Sequence, residues 1–227
     1  MASEPRASVS SPPTADSTLC EPFVQVLPID GASIAIFGHQ RHQSTICATD
    51  PVAIRSDTLQ FEFGEGPHWD ALTSGVPVLC PNLALMGARS WPVFTEAALG
   101  LGIGSLFAFP MKIGAAVVGV VDLYSVTAHR LAAREVSLAA LMAHRAAMAA
   151  VNLATQTADD SGHSEESAPS LRREVHQATG MVQAQLDVSA TDALLRLRAL
   201  AFSSGRPIDE IARDVVNRTL DFSTLTQ

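Results

Sequence analysis

The chain has 227 residues, of which 47% are hydrophobic and 17% charged, and a formal net charge of −8. That length gives one or two domains, and that apolar content excludes a chain disordered throughout. The 14 glycines and 13 prolines follow no period, which excludes a collagen-like sequence. Cys20, Cys47 and Cys80 form no C-x-x-C pair and cannot all be paired within one chain. A disulfide framework or zinc ribbon is therefore not expected, and a reducing cytosol fits best. The opening MASEPRASVSSPP has no apolar core, so no signal peptide is expected. The most apolar stretch, 138–151, contains His144 and Arg145 and is too short to span a bilayer. These features give a cytoplasmic protein with no membrane partner as the expectation.

Charge divides the chain. Residues 1–170 hold 8 basic and 16 acidic side chains, whereas residues 171–227 hold 7 of each. An acidic protein is a poor non-specific binder of polyanions, so any nucleic-acid contact must come from a local arginine array.

Residues 1–17 are mainly Ser, Pro, Ala and Thr and read as a disordered tail. Residues 33–38 (SIAIFG) and 44–49 (STICAT) are β-rich runs around a polar loop, as in two adjacent antiparallel strands. A short helix is expected over 51–60, followed by the turn Gly64-x-Gly66-Pro67. Residues 76–79 read as a strand and 91–99 as a helix with Pro92 in its first turn. Residues 104–111 and 115–124 read as two longer strands, and 131–153 as a long alanine-rich helix. Its Leu138, Leu141, Ala146 and Met148 leave an apolar side to cover, which suggests a homodimer. An α+β unit over 18–154 follows, with an antiparallel sheet flanked by helices.

Residues 155–170 (TQTADDSGHSEESAPS) have no large apolar residue and read as a linker. Beyond it, Leu171, Val175, Ala178, Val182 and Leu186 make one helical stripe. Ser189-x-x-Asp192 is a capping box for a second helix, ended by Ser203-Ser204-Gly205 and Pro207. Ile208, Ile211, Ala212, Val215 and Leu220 stripe a third. Three helices in residues 171–227 give an all-α bundle whose core is too small to be secure alone.

Two sets of residues carry a family resemblance. The run Gln60-Phe61-Glu62-Phe63-Gly64-Glu65-Gly66-Pro67, then Asp70-Ala71, Gly75-Val76-Pro77-Val78, Trp91-Pro92 and 118–125 (VGVVDLYS), resembles the GAF domains of actinobacterial GAF–ANTAR regulators. Ala178-Thr179-Gly180-Met181-Val182, Ala193-Leu194, Leu197-Arg198, Ala201 and Ile208-Asp209-Glu210-Ile211-Ala212 resemble the ANTAR domain. The resemblance implies a GAF sensor controlling a three-helix module that binds paired RNA stem-loops in transcription antitermination. Such families usually carry Lys where this chain has Thr179, so a phosphate contact there is lost or moved. With the resemblance, the candidate RNA-binding residues are Arg172, Arg173, Thr179, Gly180, Gln183, Arg198, Ser203 and Arg206. Arg196 and Arg198 are about 200° apart on a helix, so both do not face one ligand. His68, Trp69, Arg89 and Trp91 are candidates for lining a pocket that takes a small-molecule effector.

Catalysis is not expected. Gly64-x-Gly66-Pro67 lacks the ending of a P-loop, and no nucleophile elbow or paired catalytic carboxylates occur. The histidines show no ligand pair at metal spacing, so neither metal nor cofactor is expected. The rival readings are a DNA-binding helix-turn-helix regulator, from 197–216, and a cysteine-dependent sulfoxide reductase on the sensor fold.

Overall fold

The computed structural model describes residues 19–37, 43–159 and 168–225. The expected tail (1–17) and the centre of the expected linker (160–167) lie outside those residues. The order is α1 (Glu21–Val26), β1 (Gly31–Phe37), β2 (Gln43–Ala48), α2 (Pro51–Phe63), α3 (Pro67–Ser74), β3 (Val78–Cys80), α4 (Leu83–Ser90), α5 (Pro92–Gly100), β4 (Ser105–Ile113), β5 (Ala116–Ser125) and α6 (Ala133–Asp159). Then come α7 (Ala168–Leu186), α8 (Ala190–Ser204), α9 (Ile208–Val216) and α10 (Phe222–Leu225). The five strands form one antiparallel sheet in the order β2-β1-β5-β4-β3.

Alternation along the strands sends side chains to two different layers. Ile34, Phe107, Phe109, Val121 and Leu123 face α6 and α1. Leu106 and Tyr124 pack with α2, α4 and α5, and Ala108 and Val120 with Ala71 of α3. Small residues let α6 lie close to the sheet: Ala139, Ala143, Ala146, Ala147 and Ala150 are all buried. Contrary to the expectation, residues Ala133–Leu153 are long and apolar enough to cross a membrane by length and composition. Here the buried alanine face instead packs against the sheet.

The cysteine expectation is corrected: Cys20 and Cys47 form a disulfide, with Cα atoms 6.0 Å apart, while Cys80 is free and buried. The cause is a register shift between Ile34 and Ala35, where β2 carries one extra residue. Thr45 pairs with Ala35 and Cys47 with Ile34 across that shift. Cys47 is thereby turned into the α1–α6 layer where Cys20 sits. Two short helices, α1 and α4, and the helix α3 after the glycine turn were not assigned bounds by the sequence pattern. In the C-terminal part, Ser189 Oγ accepts from Asp192 N as the capping box requires. Gly205, at φ 64°, ends α8 in the left-handed conformation that glycine adopts without steric cost. Helix α9 stops at Val216, so Leu220 lies beyond it.

The bundle core is completed from outside its own sequence. Val175, Ala178, Val182, Leu197, Ile211 and Val215 are buried together with Phe61 of α2, which is 2% exposed. The need for additional apolar cover is thus met within the chain. Burying a phenylalanine side chain contributes roughly 1.5–3 kcal/mol by transfer alone. Phe61→Ala should cost about 3–5 kcal/mol once the cavity is counted. Urea unfolding measures the loss, and hydrogen exchange should quicken across α7–α9 more than across the sheet. Unchanged exchange in α7–α9 would mean that the bundle does not depend on this ring.

Candidate functional site

Helix α2 ends at Gly64, whose φ of 64° turns the chain toward α3. The turn brings Phe61, Gly64 and Trp69 to one edge of the sensor half. Trp69 is fixed there because its indole Nε1 donates to Gln60 O at 2.6 Å. Arg198 of α8 inserts against this edge. Its Nη2 donates to Phe61 O at 2.5 Å, and its guanidinium carbon lies 5.3 Å from the Phe61 ring and 5.5 Å from the Trp69 ring. Both distances fall within the range of cation–π attraction. A Cβ at position 64 would lie 2.7 Å from Arg198 Nη1, so only glycine leaves room for the group. Burial lowers the Arg198 pKa to about 10, which still leaves it charged at neutral pH. Its Nε is buried without a hydrogen-bond partner. Such a donor costs roughly 1–3 kcal/mol, so the docked arginine is held but not fully satisfied.

Around Arg198 lies a cleft of about 220 Å³ lined also by Gly64, Trp69, Thr73, His176, Thr179, Thr191 and Leu194. His176 closes one side, with its Nε2 3.2 Å from Gln43 O of β2. Of the expected RNA-binding residues whose side chains are described, Thr179 and Arg198 line this cleft. Thr179 is buried, and its hydroxyl donates to Val175 O, so it offers nothing to a phosphate in this arrangement. Gly180 is exposed, and a Cβ there would meet no atom within 4 Å. Close approach of another helix of this chain therefore does not explain that glycine. Gln183 is half-buried on α7. Ser203 is exposed with its hydroxyl on Leu200 O. Arg206 is exposed and pairs with Glu210 at 3.2 Å and Asp214 at 2.8 Å. Arg213 likewise pairs with Glu174 and Asp209. Arg172 and Arg173 lie in α7, but their side chains fall outside the described ones. Arg196 is exposed on the side of α8 away from Arg198, as the helical angle required.

Neither this cleft nor a second one gathers the four residues expected to line an effector pocket. His68 is fully buried in the sensor half, Trp69 faces the cleft, and Arg89 is exposed in the last turn of α4. Trp91 belongs to the apolar layer under α5, with its Nε1 on Asp70. The second cleft, of about 180 Å³, is lined by Gly75, Pro77, Phe109, Pro110, Lys112, Ala140 and His144, and contains none of them.

Sequence spacing missed a buried polar group under α2 and α3. His68 Nδ1 lies 2.5 Å from Asp122 Oδ2 of β5. Asp57 of α2 accepts from Gln43 Nε2 at 3.0 Å and Thr45 Oγ1 at 2.6 Å, both on β2. Gln60 Oε1 accepts from His68 N. Burial pushes the Asp122 carboxyl above the ordinary aspartate range, and His68 opposes that shift. Asp57 and His68 are 11 residues apart and His68 and Asp122 are 54 apart, so no local motif joins them. The available signal was Asp122 itself, a charge inside the apolar run 117–124 (VVGVVDLY).

Residues 12–150 match the GAF domain family and residues 166–216 match the ANTAR domain. No curated protein matches the chain. Among solved structures, the chain is similar to a GAF domain/HD domain protein from Geobacter sulfurreducens at 12% identity and TM-score 0.46, covering 61% of this chain and 90% of that one. It is similar to the photoproduct state of a GAF3 domain from Synechocystis sp. at 16% identity and TM-score 0.45, covering 63% and 95%. A type II free methionine-R-sulfoxide reductase from Thermoplasma acidophilum gives 12% identity and TM-score 0.41, covering 60% and 88%.

With open space around Gly180, Gly180→Ala should stabilise the fold by up to about 1 kcal/mol, the helix-propensity difference. Thermal unfolding would show it as a rise in Tm. No gain in Tm would mean that the backbone at 180 departs from ordinary helix.

Proposed function

Because the chain belongs to the GAF domain family and carries an ANTAR domain, we propose that it is a transcription antitermination regulator that binds paired RNA stem-loops. The observation that carries this reading is the docking of Arg198: the output bundle presents to the sensor the arginine that the family resemblance assigns to RNA. Specific RNA recognition uses unstacked loop bases, which an arginine fork can read at their edges. Held between Phe61, Gly64 and Trp69, Arg198 is withheld from such a base. Release from the sensor supplies it. Binding of the tandem stem-loops then competes with terminator folding and lets polymerase continue. The protein works in the cytoplasm, without catalysis, and as a homodimer. Leu138 (39% exposed), Leu141 (48%) and Met148 (54%) on the outer side of α6 support the dimer.

The test is titration of a tandem-hairpin RNA, found by crosslinking and sequencing, with duplex DNA as competitor. Trp69→Ala removes one side of the dock and should tighten RNA binding several-fold. Adding Arg198→Ala in that background should cost about 1–3 kcal/mol and relax preference at one loop position. Arg206 and Arg213 are already paired with carboxylates, so few phosphates are neutralised. A log–log salt slope of roughly −2 to −4 is expected, at about −0.7 to −0.9 per phosphate. A slope near −8, equal binding of duplex DNA, or no effect of either substitution would refute this reading. Leu141→Asp should halve the mass seen by light scattering; a wild-type monomer at tens of micromolar would dismiss the dimer.

A further inference from the structure

Asp57, His68 and Asp122 lie in the interior of the sensor half, at 1%, 0% and 4% exposure. One ligand atom from each lies within 4.8 Å of the other two, the one such group of metal-ligating side chains among the described residues. They come from three different elements, α2, α3 and β5, so the fold and not a local turn assembles them. Two further observations point to a missing occupant. His68 Nε2 and Gln43 Oε1 are buried beside the group with no hydrogen-bond partner. Gln43 is itself 0% exposed, and its amide nitrogen already donates to Asp57 Oδ1. Its oxygen is therefore an acceptor facing no donor. Buried polar atoms are nearly always paired, and an exception calls for an unseen water or ion.

The ligand set argues for the ion: an imidazole and two carboxylates from three separate elements converge on one buried point, which is the arrangement a bound cation gathers. The donor set selects among cations: nitrogen with carboxylate oxygens suits first-row transition metals, whereas magnesium and calcium prefer oxygen alone. We propose that Asp57, His68 and Asp122 form a buried site for one divalent first-row transition metal ion, with Gln43 supporting it from β2. Thr45 donates to Asp57 and orients that carboxylate, as partners of metal ligands commonly do. Burial on all sides makes the ion part of the folded core, entering as the chain folds and leaving only when it opens. The site stands on the sensor half alone and is independent of whether the bundle binds RNA.

The full chain is produced in medium supplemented in turn with zinc, manganese and iron, purified without chelator and assayed by elemental mass spectrometry. About one metal ion per chain should survive native dialysis against chelator and be lost in guanidinium. Refolding with zinc or manganese at about 100-fold excess over Kd should raise Tm by roughly 5–10 °C over refolding with chelator. Asp57→Asn, Asp122→Asn and His68→Gln should each lower the bound metal at least tenfold. Circular dichroism identifies the variants that keep the fold. Metal below about a tenth of an equivalent from all three media, with no Tm shift on refolding, would overturn the site. So would undiminished metal in folded variants. Should no variant fold, the wild-type stoichiometry and Tm shift decide the matter by themselves.

Discussion

The side chain of Phe61 belongs by sequence to the sensor and by packing to the output bundle, and much of the remaining architecture follows from that. A three-helix unit of this size buries too little apolar surface to be secure. With the ring inserted among Val175, Leu197 and Ile211, its core gains a large fully desolvated member. The insertion fixes which face of the bundle meets α2, and hence that Arg198 reaches Phe61 O while Arg196 stays in water. It also brings His176 onto β2. The arginine contributes a hydrogen bond to Phe61 O and cation–π contacts with Phe61 and Trp69, offset in part by its buried unpaired Nε.

Most secondary structure was legible because it rests on local periodicity. The strands at 33–38, 44–49, 104–111 and 115–124 are β-rich, largely apolar runs, and α6 through α9 carry clear stripes. The capping box at Ser189 and the stop at Gly205 were readable because each is settled within four residues. What the sequence concealed depends on contacts between distant elements. The Cys20–Cys47 disulfide requires one extra residue in β2, which inverts the side-chain direction and leaves no mark in composition. The residues expected to line an effector pocket point in different directions: His68 and Trp69, adjacent in α3, diverge by about 100° around the helix. One enters the core and the other the cleft.

The two faces of α2 and α3 link the features that sequence spacing could not join. Asp57 and Gln60 point toward the buried polar group, while Phe61 one position later points toward the bundle. Gln60 serves both directions, its side chain accepting from His68 N and its backbone carbonyl accepting from Trp69 Nε1. Any change in how α2 sits over the buried group must therefore move the aromatic edge that Arg198 occupies. The coupling distance is a single helical turn, and it needs no long relay.

The shared ring also bears on how such regulators can be cut and recombined. A fragment spanning 168–225 would leave a phenylalanine-sized hole in its core, since Phe61 lies 107 residues before its first residue. Grafting the bundle onto another sensor would succeed only if the new host presents an aromatic side chain at the end of a helix followed by a glycine turn. The boundary between the two family matches is thus a boundary in sequence and not in packing. Exchange of output modules during evolution must carry an aromatic residue from the sensor along with it, or find a substitute.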